Sequence, residues 1–200
     1  MISRRRLAEY LLLFYGVAGL YIVLHVPGGP IPVLLLAAVL VMVYMRRTSL
    51  PLLNAAALRP ALPRVLGLWA VVSLLALGAV AWLDPDNLLI LPRQQPWLWL
   101  AICVGYPLFS VYPQELLYRG FLMHRYGRGL GAAVASATAF GFAHLLFGNV
   151  IAVVATLAGG WLFARRYQQT GSLLVVSVEH ALYGITIFTI GLGQYFYHAV

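Results

Sequence analysis

Lysine is absent from this chain and acids are scarce: five Asp and Glu stand against thirteen Arg in 200 residues. Charged residues make up 9% of the sequence, far below the roughly 25% of a soluble domain. With 62% hydrophobic residues and a mean hydropathy of +0.89, that scarcity excludes a soluble globular fold and implies a polytopic membrane protein. The single cysteine, Cys103, lies in an apolar run and excludes a disulfide framework or a cysteine-rich metal site. Internal repeats and low-complexity tracts are also missing. No HExxH, Gly-x-Gly-Asp or Gly-x-Ser-Gly sequence occurs, so three common types of membrane-embedded hydrolytic site lack their motifs.

What remains is a succession of apolar runs. Arg4-Arg5-Arg6 has the basic start of a signal peptide, but no polar mature region follows Gly16 and Gly19, so the segment is expected to stay as a membrane helix. Tyr10 to Val26 reads as the first span, closed by Pro27-Gly28-Gly29-Pro30. Val33 to Met45 is a short second span, ended by Arg46-Arg47. Leu50 to Pro63, with three prolines and Arg59, reads as an interfacial connection, and Val65 to Leu83 as the third span. After the loop Asp84 to Pro96, Trp97 and Trp99 mark an interface where the fourth span begins. It runs to about Tyr112, and Pro113 either opens or kinks the helix that continues to about Tyr126. Leu130 to Leu146, Val150 to Arg165 and Leu173 to about Ile190 follow, with a short helix near Gln194 to Tyr197. The sequence therefore predicts an all-α, polytopic transmembrane helix bundle of seven or eight membrane helices, one integral membrane domain over residues 1–200.

The arginines are not gathered into a stripe, which argues against a nucleic-acid partner despite the net charge of +8. With the N-terminus in the cytoplasm, Arg4, Arg5, Arg6, Arg46, Arg47, Arg59, Arg64, Arg125, Arg128, Arg165 and Arg166 all fall on the inner side. Arg93 alone falls outside, beside Asp84 and Asp86. This positive-inside bias sets a cytoplasmic N-terminus in a bacterial-type cytoplasmic membrane.

Charge inside the apolar runs is the exception, and it concentrates in Gln114-Glu115-Leu116-Leu117-Tyr118-Arg119. Glu115 and Arg119 are one helical turn apart and share a face, the acid N-terminal to the base. Ionisable groups at membrane depth are costly and face the protein interior. Counting from the inner turns at about 1.5 Å per residue puts Glu115 about 20 Å deep, His144 about 23 Å and His180 about 16 Å. One carboxylate and two imidazoles thus come to a similar level. Taken singly, each has a plain structural reading: His144 or His180 bonded to a backbone carbonyl, Glu115 with Arg119 as a structural pair, Glu179 facing a loop or an arginine. His25, His124 and His198 lie near helix ends and read as structural, as does the aromatic stripe Phe140, Phe142 and Phe147. Two chemistries fit the joint set. Zinc could be held by His144, His180 and Glu115 with water in an open position. Alternatively, a carboxylate and a histidine activate water directly, no cofactor being needed, while another histidine stabilises the oxyanion.

These residues resemble the CPBP intramembrane proteases, which include type II CAAX prenyl endopeptidases and bacterial Abi-like proteins. The hallmarks of that family are Glu-Glu-x-x-x-Arg, Phe-x-x-x-His and a later His-x-x-x-Asn. Here they read Gln114-Glu115-Leu116-Leu117-Tyr118-Arg119, Phe140-Gly141-Phe142-Ala143-His144 and His180-Ala181-Leu182-Tyr183-Gly184, in a core spanning about residues 97–190. The resemblance implies a membrane endopeptidase of glutamic type acting on a membrane-embedded or membrane-anchored peptide or protein, with lipid as its surroundings. It implies His144 as the water-activating partner, His180 as an oxyanion donor and Glu115–Arg119 as the supporting pair. Two positions depart from the pattern. Gln114 replaces the first Glu, and Gly184 replaces the Asn, for which Tyr183 or Asn149 are substitutes. Gln114 would assist by hydrogen bonding, with Glu115 or His144 as the base. The alternatives are a non-catalytic scaffold or immunity factor on the same fold, or a proton-coupled transporter. Nothing in the residues sets an oligomeric state.

Overall fold

The computed structural model describes residues 3–24, 29–46 and 53–196. His25 and His198 lie outside them, as do Pro27 and Gly28 of the first turn and part of the Leu50 to Pro63 connection. Among the described residues all regular structure is helical. Helix α1 covers Arg4–Leu24, α2 Ile31–Met45, α3 Leu58–Leu83, and the short α4 Ile90–Gln94. Helix α5 is a continuous run over 96–126, α6 is Leu130–Ala143 with a 3₁₀ extension His144–Phe147, α7 is Val150–Thr170 and α8 is Leu173–Ile190.

Five of these are long and apolar enough to cross a membrane: α1, α3 with its 3₁₀ lead-in from Ala55, α6 with its extension, α7 and α8. The expected count of seven or eight is not reached on that measure. Helix α2 has 15 residues, about 22 Å, short of a hydrocarbon core of about 30 Å. Helix α5 is long, but π-helical turns at Pro107–Val111 and Leu116–Phe121 divide it. The prolines explain the first of these turns. Pro107 and Pro113 have no N–H to give the preceding turn, and the backbone widens instead of ending. The fourth span and the motif helix are thus one element, with Pro113 inside it. The span expected from Val65 also begins earlier, at Leu58. Pro60 falls in its first turn, where N–H groups have no partner in any helix.

Helix α5 is central. Its motif half packs against α2, α6, α7 and α8, and α1 closes over it with Tyr10 and Phe14 set among Tyr118, Phe121 and Tyr126. The small residues of α6, which runs Leu-Gly-Ala-Ala-Val-Ala-Ser-Ala-Thr-Ala, let α7 approach closely. At the crossing a Cβ on Gly160 would lie 3.0 Å from Ala137 Cα, so glycine permits the close approach. Ion pairs tie the Arg-rich end of the bundle. Arg125 makes a two-pronged bond to Glu9 at 2.8 Å, joined by Tyr126, and Arg166 makes one to Glu179 at 2.8 and 3.0 Å. Glu179 therefore faces an arginine and takes no part in the site beside it.

Candidate functional site

Glu115 and Arg119 sit between and within the two π turns of α5, and both are fully buried. Arg119 Nη1 donates to Glu115 Oε1 at 3.1 Å, and its Nη2 donates to the Gly160 carbonyl of α7 at 3.1 Å. The guanidinium lies over the rings of Phe140, at 4.6 Å, and Phe163, at 5.4 Å. A cation so desolvated is held by its carboxylate and by two π faces. The widened turn leaves the Tyr118 carbonyl to be met from α6, where Ser136 donates to it at 2.8 Å.

His180 of α8 completes this cluster. Its Nδ1 is 2.7 Å from Glu115 Oε1, so a proton on Nδ1 is donated to the carboxylate. The imidazole stacks on Phe163 at 4.7 Å and meets Phe140 edge-on at 5.6 Å. Its other nitrogen, Nε2, is 3.2 Å from the hydroxyl of Tyr106. Arg119, Glu115, His180 and Tyr106 thus form one continuous polar chain across α5 and α8.

His144 stands apart from that chain but shares its wall, 4.5 Å from the Phe140 ring. Its Nδ1 lies 2.7 Å from the Phe140 carbonyl. A carbonyl only accepts, so Nδ1 carries the proton and Nε2 carries the lone pair. Gln114 donates from Nε2 to Ser110 Oγ at 2.8 Å, while its Oε1 has no protein partner.

A cavity of about 1820 Å³ opens beside these groups, with Gln114, His144, His180, Tyr106 and Tyr183 in its walls among mainly apolar side chains. Glu115 and Arg119 do not line it. Of the expected residues, the structure thus sets Gln114, His144 and His180 on the cavity wall, with Glu115 and Arg119 behind it and Glu115 in contact with His180. Among the described residues no group of three His, Cys, Asp or Glu is placed to hold a metal ion. Of the suggested zinc ligands, Glu115 has its Oε1 shared between the Arg119 guanidinium and the His180 imidazole. Of the suggested substitutes for Gly184, Asn149 is occupied as the cap of α7, accepting from Ala152 N–H and donating to the carbonyls of Phe147 and Tyr195. Tyr183 keeps a buried hydroxyl without a protein partner.

Tyr106 is the residue that the sequence reading missed. Gly184 had drawn attention only as an absent donor, yet it is also an open space. A Cβ there would collide with the Tyr106 ring and hydroxyl. The side chain missing from α8 is replaced in space by the phenol from α5.

Residues 92–186 match the family described as type II CAAX prenyl endopeptidase Rce1-like. That stretch, a little under half of the chain, is similar to the Rce1-like family. The protein is accordingly a membrane protein of the CAAX-protease type, and all three motifs lie inside the matched stretch. No curated protein and no solved structure is matched by the chain.

Proposed function

We propose that this Rce1-like protein is an intramembrane endopeptidase in which His144, not Glu115, takes the proton from water. The observation that carries the reading is the fixed tautomer of His144, whose Nε2 lone pair belongs to a cavity wall it shares with Gln114. Water between them would be accepted by Gln114 Oε1 and deprotonated by His144 Nε2. The hydroxide would add to the scissile carbonyl carbon, and the oxyanion would take the phenol proton of Tyr106 as a hydrogen bond. The Tyr106 hydroxyl, 3.2 Å from His180 Nε2, would turn from that nitrogen to the oxyanion as it forms. Collapse would return the proton from His144 to the leaving amine nitrogen as the C–N bond breaks. Glu115 and Arg119 act as positioning residues here, because they are sealed from the cavity.

The proposal includes the whole chain as a single membrane domain of seven spans with a cytoplasmic N-terminus, counting α2 and α5. The substrate is a peptide segment in or anchored to the bilayer. Purified full-length protein in lipid nanodiscs, assayed against fluorogenic peptides with and without a lipid anchor, tests it. The parent should cleave, and His144→Ala should lose roughly 10²–10⁴-fold. Unchanged cleavage in His144→Ala overturns the assignment.

One observation favours a second reading, a non-catalytic scaffold or immunity factor. The cavity presents an amide at Gln114, and the carboxylate next to it faces away. A parent silent against every peptide, awakened by Gln114→Glu, would select this reading.

A further inference from the structure

A second cavity, of about 470 Å³, lies at the Arg-rich end of the bundle between α3 and α7, away from the motif residues. Helix α8 packs against both helices. Its rim is cationic and no acid lines it: Arg64 of α3 faces Arg165 and Arg166 of α7, with Gln169 beside them. Arg166 is more than nine-tenths buried, and its Nε and Nη2 are fixed by Glu179 of α8, which orients the guanidinium before any ligand arrives. Arg165 gives one nitrogen to Gln168, and Arg64 is exposed.

The two walls run antiparallel yet carry the same gradient. One turn deeper than Arg64 on α3 stands Leu68, and one turn deeper than Arg165 on α7 stands Leu162. Both leucines also line the larger cavity, so the deep end of the groove abuts it. A soluble anion would use only the rim. An amphiphile with a phosphate at the arginines and a chain along the leucines would use the whole groove. Cationic pockets between membrane helices suit anionic headgroups for this reason.

We infer that this groove is a binding site for an anionic phospholipid, its phosphate held by Arg64, Arg165 and Arg166 and an acyl chain laid on Leu68 and Leu162. The site stands whether or not the protein is a peptidase. Native mass spectrometry of the full chain, released from micelles holding equal phosphatidylglycerol and phosphatidylcholine, reads it directly. Phosphatidylglycerol should be retained over phosphatidylcholine by about tenfold, and Arg64→Ala with Arg165→Ala should bring the ratio to parity. Arg64→Glu alone, on an exposed side chain, gives the same readout without touching Arg165. Millimolar inorganic phosphate should leave the bound lipid in place. Equal retention of the two lipids, a preference that survives both variants, or displacement by inorganic phosphate would each overturn the inference.

Discussion

His180 Nδ1 lies 2.7 Å from Glu115 Oε1, the same oxygen that Arg119 reaches at 3.1 Å. One carboxylate oxygen therefore joins α8 to α5 and serves a cation and an imidazole together. This makes Glu115 an organiser of the site. Its burial behind the cavity wall is the ground on which the proposed reaction gives the proton transfer to His144 and not to Glu115.

Removing Arg119 should cost more than removing any other side chain in the cluster. Arg119→Ala leaves Glu115 buried without a countercharge, which costs about 3–5 kcal/mol when a buried pair is broken from one side. Arg119→Met together with Glu115→Gln removes both charges and keeps the packing, so it should recover most of that loss. Denaturation in mild detergent, followed by tryptophan fluorescence, compares the two. A double variant no more stable than Arg119→Ala would show that the ion pair is not what the cluster depends on.

Gln114→Glu should raise cleavage by the parent rather than abolish it. The amide already holds its place through Ser110, 2.8 Å away, and a carboxylate of the same shape offers a second base on the cavity wall next to His144. An increase of about tenfold or more in kcat is expected in the peptide assay. A loss would mean that the amide N–H, not a base, is what the reaction needs at this position.

The ion pair Glu9–Arg125 provides a contrast. Both side chains are about 30% exposed, at 28% and 30%, in spite of good two-pronged geometry. Glu9→Gln should therefore cost only about 0.2–1 kcal/mol in the same denaturation experiment, and less at high salt. A cost near that of Arg119→Ala would show that α1 is essential to the bundle.

Orientation can be tested apart from chemistry. In a Cys103→Ala background, Arg93→Cys and Arg128→Cys place single thiols on exposed residues at opposite ends of α5. An impermeant maleimide on intact cells should label the first and spare the second until the membrane is opened. The reverse pattern would invert the assigned topology, since the arginine bias is its only support.

The sequence made parts of this site legible and hid others for a definite physical reason. Glu115 with Arg119 could be paired from their spacing alone, and the matched depths of Glu115 and His180 correspond to a 2.7 Å contact. Phe140 was read as packing, and it does pack. It also collects Arg119, His144, His180 and Tyr118 around one ring. Tyr106 was invisible because nine steps of a regular α-helix would separate it from Glu115. At about 100° each, they put the two on opposite faces of one helix. The π turn at Pro107–Val111 lies between them, and one extra residue in a turn rotates the phase by about 100°. Periodicity cannot report a residue whose helix changes its period on the way.

That hidden tyrosine gives the sharpest prediction. Tyr106→Phe keeps the ring that fills the space at Gly184 and removes only the hydroxyl that meets His180 Nε2. If the phenol stabilises the oxyanion, kcat should fall about 10²–10³-fold with KM little changed, as when one donor is removed from such a site. Gly184→Ala should reproduce the loss by another route, because its methyl group forces the ring away from His180 without altering the phenol. The ¹⁵N resonance of His180 Nε2 should shift in both variants whether or not peptide is cleaved, which keeps the structural claim separate from the catalytic one. Equal kcat in Tyr106→Phe and the parent, with that resonance shifted, would leave Tyr106 as a positioning residue for His180 and remove it from the reaction.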